Sequence, residues 1–273
     1  MNIRDTAHYL ESVDQEIDSV FVVHEKIERK LQLHSHLKGQ LTFVQGGIAY
    51  IHIKNISYII PARHYVWVPK GLFHYLEVRH TSTITRNLYF YPNDDDKDPF
   101  YNALGIFPVN NLLLEMIVYS ENWNGLIAPG TEEYLFLSSI KNLLPKLSLR
   151  SFPIALPTTS NERLRTVLLY LAKHFDETLT LKDISDRFGF GERSLSRLFQ
   201  LTLSTSFLQY LRLLRTVRAI EMMLQTNQSL SEIAFATGYN SLAAFSKAFY
   251  QLTNARPNKI RNNILNPNNQ EEE

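Results

Sequence analysis

Thr180-Leu-Lys-Asp-Ile-Ser-Asp-Arg-Phe-Gly-Phe190 returns in kind as Ser229-Leu-Ser-Glu-Ile-Ala-Phe-Ala-Thr-Gly-Tyr239. Each stretch opens on a hydroxyl residue with an acid three positions later, Asp183 or Glu232, the spacing of a capping box at a helix N-terminus. Ile184, Phe188 and Ile233 fall at helical spacing on an inward face. Gly189 and Gly238 stand where a chain leaving a helix needs positive φ, which glycine adopts at least cost. An aromatic follows each glycine, and then a second amphipathic run begins: Leu195-Ser-Arg-Leu-Phe199 and Phe245-Ser-Lys-Ala-Phe249. Helix, glycine turn and basic second helix describe a helix-turn-helix, here present twice.

With Leu195, Leu198 and Phe199 turned inward, the first recognition helix is expected to expose Glu192, Arg193, Ser196, Arg197 and Gln200. With Phe245 and Phe249 inward, the second exposes Asn240, Ser241, Ala243, Ser246 and Lys247. Arginine can give two donors to guanine in the major groove, and lysine can give one or neutralise a phosphate. Asn, Ser and Gln reach base edges or phosphate oxygens. A solvated helix face is the plain reading of any one such residue. Basic residues at equivalent places in two copies favour double-stranded DNA as the partner. Between the copies, residues 206–224 read as one helix of roughly 30 Å, close to the ~34 Å between successive major-groove faces. Arg212, Arg215 and Arg218 lie along it, with Arg215 expected in a structural pairing.

Ser206-Phe207, Tyr210-Leu211-Arg212, Arg215, Ala219, Ile233-Ala234, Gly238-Tyr239, Phe245 to Phe249, and Pro257 with Arg261 together resemble the AraC/XylS family of bacterial transcription regulators. The likeness covers roughly the last hundred residues and keeps its spacing through both motifs. Ile260 departs from it, where the family usually has an aromatic, and the second recognition helix starts apolar at Leu242, Ala243 and Ala244. The resemblance implies a sequence-specific regulator of transcription, with RNA polymerase as a further partner if it activates.

Composition agrees. Residues 1–157 hold 14 Lys+Arg against 16 Asp+Glu, whereas residues 158–273 hold 14 against 11, three of the latter in the tail Glu271 to Glu273. A basic C-terminal part beside a near-neutral N-terminal one suits nucleic-acid binding. There is no cysteine, hence no disulfide framework or thiolate metal site. The absence of an apolar signal core or membrane-length apolar run fits a cytoplasmic protein.

The expected fold is α+β with two domains. Residues 1–157 form a cupin-like β-barrel (about 18–92) with accessory helices (about 110–149), residues 158–265 form an all-α DNA-binding domain, and residues 266–273 form a disordered tail. Short strands punctuated by Gly46-Gly47, Lys54-Asn55, Pro61 and Pro69-Lys70-Gly71 give the barrel. Leu135, Ser139, Leu143 and Leu147 repeat every four residues, and Leu137, Ile140 and Leu144 widen that face. Asp94 to Asp98 reads as a solvated loop. The helices over 110–149 serve either as a homodimer interface or as a cap on the barrel.

His34-Ser-His36 puts two imidazoles on one strand face. Gln40 follows, and His74 comes after the Pro69 turn. This set resembles the two cupin motifs, with Gln40 in place of the usual acid. One reading is an effector pocket or a polar barrel mouth without metal. The other is a site for Zn, Fe, Ni or Cu, with glutamine oxygen as a weak fourth ligand. His52, His64 and His80 fall outside the motif and read as structural or exposed. Some cupins are enzymes, so a metal-dependent enzyme fused to a DNA-binding domain is the alternative function. No carboxylate stands at the ligand position, which favours a sensor without catalysis. Relatives with such a domain commonly bind an effector there, and Tyr50, Trp67, Phe73, Tyr75 and Tyr89 are candidates to line its pocket. A constitutive DNA-binding protein with a structural barrel is the third reading.

Overall fold

A computed structural model describes residues 3–25, 32–78, 83–148 and 154–265. His80 and the tail from 266 lie outside them. The chain divides into two compact units, 1–54 with 60–152, and 55–59 with 153–273.

The first unit begins with a helix, α1 (Ile3–Asp14), for which the sequence reading had no counterpart. It is followed by β1 (Val20–Glu25), β2 (Gly39–Val44), β3 (Ile48–Ile53), β4 (Ile56–Pro61, whose first residues belong to the second unit), β5 (His64–Val68), β6 (Tyr75–Val78), β7 (Thr85–Phe90) and β8 (Gly105–Pro108). Then come α2 (Asn111–Tyr119), β9 (Gly125–Ile127) and α3 (Glu132–Leu147). The expected strands are present, but among the described residues they fall into two sheets and neither closes on itself. The larger runs β8-β5-β2-β7-β1-β9, all antiparallel. β2 lies inside it and is buried throughout, so Gln40 and Thr42 sit in the interior beside Leu41 and Phe43.

α2 and α3 cover a core of Leu41, Phe43, Tyr65, Trp67, Leu88 and Phe90. α3 inserts Leu137, Ile140 and Leu144, the residues expected only to widen its face. Leu135, expected inward, is 62% exposed, and Ser139 is exposed as well. The buried stripe is therefore set by Leu137-Ile140-Lys141-Leu144, which includes a lysine. Lys141 Nζ bonds Tyr91 O at 2.6 Å, pairs with Asp94 and with Asp95 at 2.9 Å, and lies 4.3 Å from the Tyr91 ring centroid. The acidic loop is thus not wholly solvated as expected. Asp95 is fully buried because Lys141 neutralises it, and a buried charge persists only when so paired.

The second unit joins β10 (Ala155–Pro157) to β4 in an antiparallel pair. Seven helices follow among the described residues: α4 (Glu162–Lys173), α5 (Leu181–Phe188), α6 (Glu192–Leu203), α7 (Phe207–Gln225), α8 (Leu230–Ala236), α9 (Leu242–Thr253) and α10 (Pro257–Leu265). α4, α5, α6 and the first half of α7 share one core around Leu171, Ile184, Leu195, Phe199 and Tyr210. α7 also packs on α8, α9 and α10. No helix among the described residues is long and apolar enough to cross a membrane.

Candidate nucleic-acid interface

The two motifs repeat down to individual hydrogen bonds. Thr180 Oγ1 accepts from Asp183 N at 3.1 Å, while Asp183 Oδ2 accepts from Thr180 N at 3.0 Å. Ser229 and Glu232 repeat this at 3.2 and 2.7 Å. Asp183, the shorter acid, closes its box as well as Glu232 does. At the other end Gly189 and Gly238 have φ of +65° and +79°. Phe190 N then bonds Ser185 O at 2.9 Å and Tyr239 N bonds Ala234 O at 3.0 Å. The recognition helices α6 and α9 both stop at a left-handed residue, Ser204 and Asn254, each with φ +53°. Corresponding residues lie 49 apart before the turn and 50 apart after it, so the second turn is one residue longer. Ser241 uses that extra length to cap α9, accepting from Ala244 N at 3.1 Å, where α6 has only Gly191 and no side-chain cap.

The capping boxes carry a pH signature. The Thr180 hydroxyl and amide hold Asp183 below the usual carboxylate range, and the Ser229 amide and hydroxyl do the same for Glu232. A lowered folded-state pKa means each contribution is fully present above the ordinary value of about 4 and is lost as pH falls through the folded one. The melting temperature of the helical unit should therefore fall more steeply below about pH 4 than that of Asp183→Asn with Glu232→Gln, which starts lower at neutral pH and, followed by circular dichroism, changes less in that window.

Burial sorts the recognition-helix residues. Leu195 and Phe199 in α6, and Phe245 and Phe249 in α9, are fully buried. Glu192, Arg193, Ser196, Arg197 and Gln200 are exposed on α6, as are Asn240, Ser241 and Lys247 at α9, with Ser246 half-buried. Arg197 and Lys247 occupy corresponding positions, one residue after Ser196 and Ser246. The start of α9 presents Leu242, Ala243 and Ala244 to solvent. Two exposed residues that the sequence reading passed over stand near Lys247: Tyr250, which corresponds to Gln200, and Arg256, with which it lines a groove. The fifty-residue offset would have marked Tyr250.

α7 holds the two motifs. Its 19 residues span about 28 Å, and its own capping box joins Ser206 to Gln209, with Ser206 N donating to Gln209 Oε1 at 3.0 Å. Arg215 is structural, as expected, but its partners are carbonyls. Nε donates to Phe175 O at 2.7 Å and Nη2 to Glu177 O at 2.8 Å, and the guanidinium lies 5.5 Å from the Tyr239 ring centroid. It thereby ties the α4–α5 loop to the turn of the second motif. Arg218 pairs with Glu221 at 2.6 Å, whereas Arg212 is exposed.

In the first unit His34, His36, Gln40 and His74 are brought together and are all buried. One ring nitrogen from each of the three histidines lies within 4.8 Å of the others. His34 and His74 exchange backbone hydrogen bonds at 3.0 and 2.8 Å. Burial drives the pKa of all three down, His74 to about 3, so the imidazoles are neutral near pH 7. Trp67, Tyr89 and Tyr50 are core residues: Trp67 Nε1 donates to Tyr101 O at 3.0 Å, and the Tyr89 hydroxyl bonds that of Tyr9 at 2.9 Å. Phe73 is exposed, and Tyr75 stacks on His52 at 4.3 Å. His64 is half-buried, its Nδ1 3.0 Å from Ala62 O.

Two capped helix-turn-helix motifs on one connecting helix, each exposing a cation from its recognition helix, define a DNA-binding transcription regulator. Residues 162–263 match the helix-turn-helix domain family. A transcriptional regulator of the AraC-type DNA-binding class from Chromobacterium violaceum is 30% identical, the match covering 40% of this chain and 96% of that one with a TM-score of 0.38. The HTH-type transcriptional regulator NimR of Escherichia coli (strain K12) is 25% identical over 222 residues, 80% of this chain and 77% of NimR. An HTH-type regulator of Staphylococcus aureus is 25% identical over 131 residues, 48% of this chain, and the match spans only 17% of that longer protein. The chain belongs to the AraC/XylS family of transcription regulators.

Proposed function

We propose that the first unit senses a small molecule and thereby changes how the second engages DNA, with α6 and α9 reading adjacent major-groove faces. The observation that carries the DNA half is the equivalence of Arg197 and Lys247, both exposed on recognition helices joined by a helix about 28 Å long. Groove faces recur at about 34 Å. Hydroxyl-radical footprinting of the full chain on a duplex selected from a random pool tests this. Two protected patches one helical turn apart on one side of the duplex are expected. A single patch would leave only one motif in the groove.

The sensory half rests on the buried polar cluster of His34, His36, Gln40 and His74, because a purely structural sheet gains nothing from four polar side chains in its interior. The cluster contains no carboxylate to act as a base, so the reading includes no catalytic step. A ligand that raises the melting temperature of the first unit and shifts operator affinity would support it. A coupling of about 1–3 kcal/mol is enough to change occupancy. The cytoplasm is the compartment in which this function is exercised.

A homodimer through α2 and α3 belongs to the same proposal. These helices cap the core, yet they turn Leu112, Tyr119 and Leu135 to solvent, and Leu112 and Tyr119 line a mostly apolar cleft with Glu115, Met116, Val118 and Phe136. Leu112→Glu with Leu135→Glu should shift the protein from dimer to monomer in sedimentation velocity. An unchanged sedimentation coefficient would place any dimer contact elsewhere.

A further inference from the structure

We propose that His34, His36, His74 and Gln40 bind one late first-row divalent ion, Zn²⁺ or its neighbours Co²⁺, Ni²⁺ and Cu²⁺, through three imidazole Nε2 atoms and one amide oxygen. The argument begins with the proton on each ring. His34 Nδ1 lies 2.7 Å from Gln32 O, His36 Nδ1 2.6 Å from Lys38 O, and His74 Nδ1 2.8 Å from Leu72 O. A carbonyl oxygen only accepts, so all three Nδ1 atoms carry the proton, and in the neutral ring every Nε2 carries a lone pair. An outer carbonyl fixing the tautomer in this way accompanies most metal-bound histidines.

The fourth group is oriented too. Gln40 Nε2 donates to Thr42 Oγ1 at 2.8 Å and to Asn87 Oδ1 at 3.2 Å, which turns Oε1 toward the histidines. That oxygen lies 2.9 Å from His36 Nε2 and 3.0 Å from His74 Nε2. These contacts set lone pair against lone pair with no proton between them. Reversing the Gln40 amide would supply protons to those two nitrogens. It would leave His34 Nε2, a buried ring nitrogen without a partner, still unsatisfied. A cation at the centre satisfies all four groups at once.

The donor set selects the ion. Three neutral imidazoles suit Zn, Co, Ni and Cu, whereas Ca²⁺ and Mg²⁺ require oxygen shells. Tetrahedral bonds of about 2.0–2.1 Å place ligand atoms roughly 3.3 Å apart, so the two contacts to Gln40 open by a few tenths of an ångström, while the imidazole nitrogens, which lie within 4.8 Å of one another, close toward the ion. Four protein ligands, none more than 6% exposed, fill a tetrahedral shell, so the small molecule that the first unit senses through this cluster would be the ion itself. The ion would tie the His34–His36 segment and the His74 bridge to β2, and so act on the stability of the first unit.

The test uses the full chain, stripped with a chelator and titrated with Co²⁺. Visible d–d absorption of tetrahedral intensity saturating at one equivalent is expected, with displacement by Zn²⁺ and a raised melting temperature. His34→Ala and His74→Ala should each weaken binding at least tenfold. Gln40→Glu should tighten it about tenfold, because a carboxylate adds charge to the same position, and should melt lower than wild type only when stripped. A hydrogen-bonded cluster without metal gives the opposite outcome: no Co²⁺ spectrum, a melting temperature unmoved by Co²⁺, Ni²⁺ or Zn²⁺, and a Gln40→Glu defect that metal does not restore. That outcome overturns the proposal even if the alanine variants fail to fold. DNA retention measured on the same preparations separates it from the assignment of the helical unit.

Discussion

Alanine at both Arg197 and Lys247 is expected to remove sequence-specific DNA retention while leaving the helical unit folded. Both side chains are exposed on α6 and α9, and neither has an ion-pair partner among the described residues, so their removal breaks no ion pair described there. A bidentate arginine–guanine contact contributes about 1–3 kcal/mol of discrimination. The two positions lie on separate helices, so their effects should add. The double variant would lose about 2–5 kcal/mol, roughly 30-fold to a few thousand-fold in affinity. The single variants differ in kind. Arg197→Ala should relax preference at one base position. Lys247→Ala should weaken all sequences alike and reduce the salt slope by about one if it contacts phosphate. Anisotropy titrations at several salt concentrations distinguish these outcomes. Affinity within twofold of wild type for the double variant, with an unchanged melt, would remove both residues from the interface and with them the role assigned to α6 and α9.

The helix-turn-helix pair was legible because its determinants are local. A capping box is closed by residues three apart, and a left-handed glycine is needed by the turn it sits in, so Thr180, Asp183, Gly189 and their counterparts announce themselves in sequence. The histidine set was legible because His34, His36 and Gln40 lie close in sequence and the Pro69 turn returns the chain with His74, although the strand expected at His34–His36 is not formed: His34 makes an isolated bridge to His74, ahead of β2, which begins at Gly39. What was not legible depends on distant partners. Arg215 bonds carbonyls of Phe175 and Glu177, 40 and 38 residues away, and a backbone oxygen has no residue type to betray it. Asp95 reads as solvated until Lys141, arriving from α3, neutralises it. Leu135 fits a four-residue repeat as well as Leu137 does, and only the angle at which α3 meets the sheet decides between them. Whether strands close into a barrel depends on ladders between residues far apart, which leave no period in the sequence.

Gly238→Ala should destabilise the helical unit far more than Gly189→Ala, although the two glycines do the same work in their motifs. Both have left-handed backbones, at +79° and +65°, and an L-residue there costs about 1–2 kcal/mol. At Gly189 a Cβ would meet nothing within 4 Å, so that backbone term is the whole expected loss. At Gly238 it would stand 2.7 Å from Arg215 Nη2 and 2.8 Å from Asp176 O. The carbonyl cannot retreat without moving the loop whose neighbouring oxygens, on Phe175 and Glu177, hold the guanidinium. Overpacking of this kind adds about 1–3 kcal/mol, for a total of about 2–5 kcal/mol. Urea unfolding followed by far-ultraviolet circular dichroism measures both variants. The clash with Arg215 predicts coupling as well: Arg215→Ala should cost less in the Gly238→Ala background than in wild type, because one of the two crowded contacts is already lost. Equal losses for the two glycine variants, or strict additivity with Arg215→Ala, would mean that the loop yields freely. In that case Arg215 would not fix the second motif against the first, and α7 alone would set the spacing of the two recognition helices.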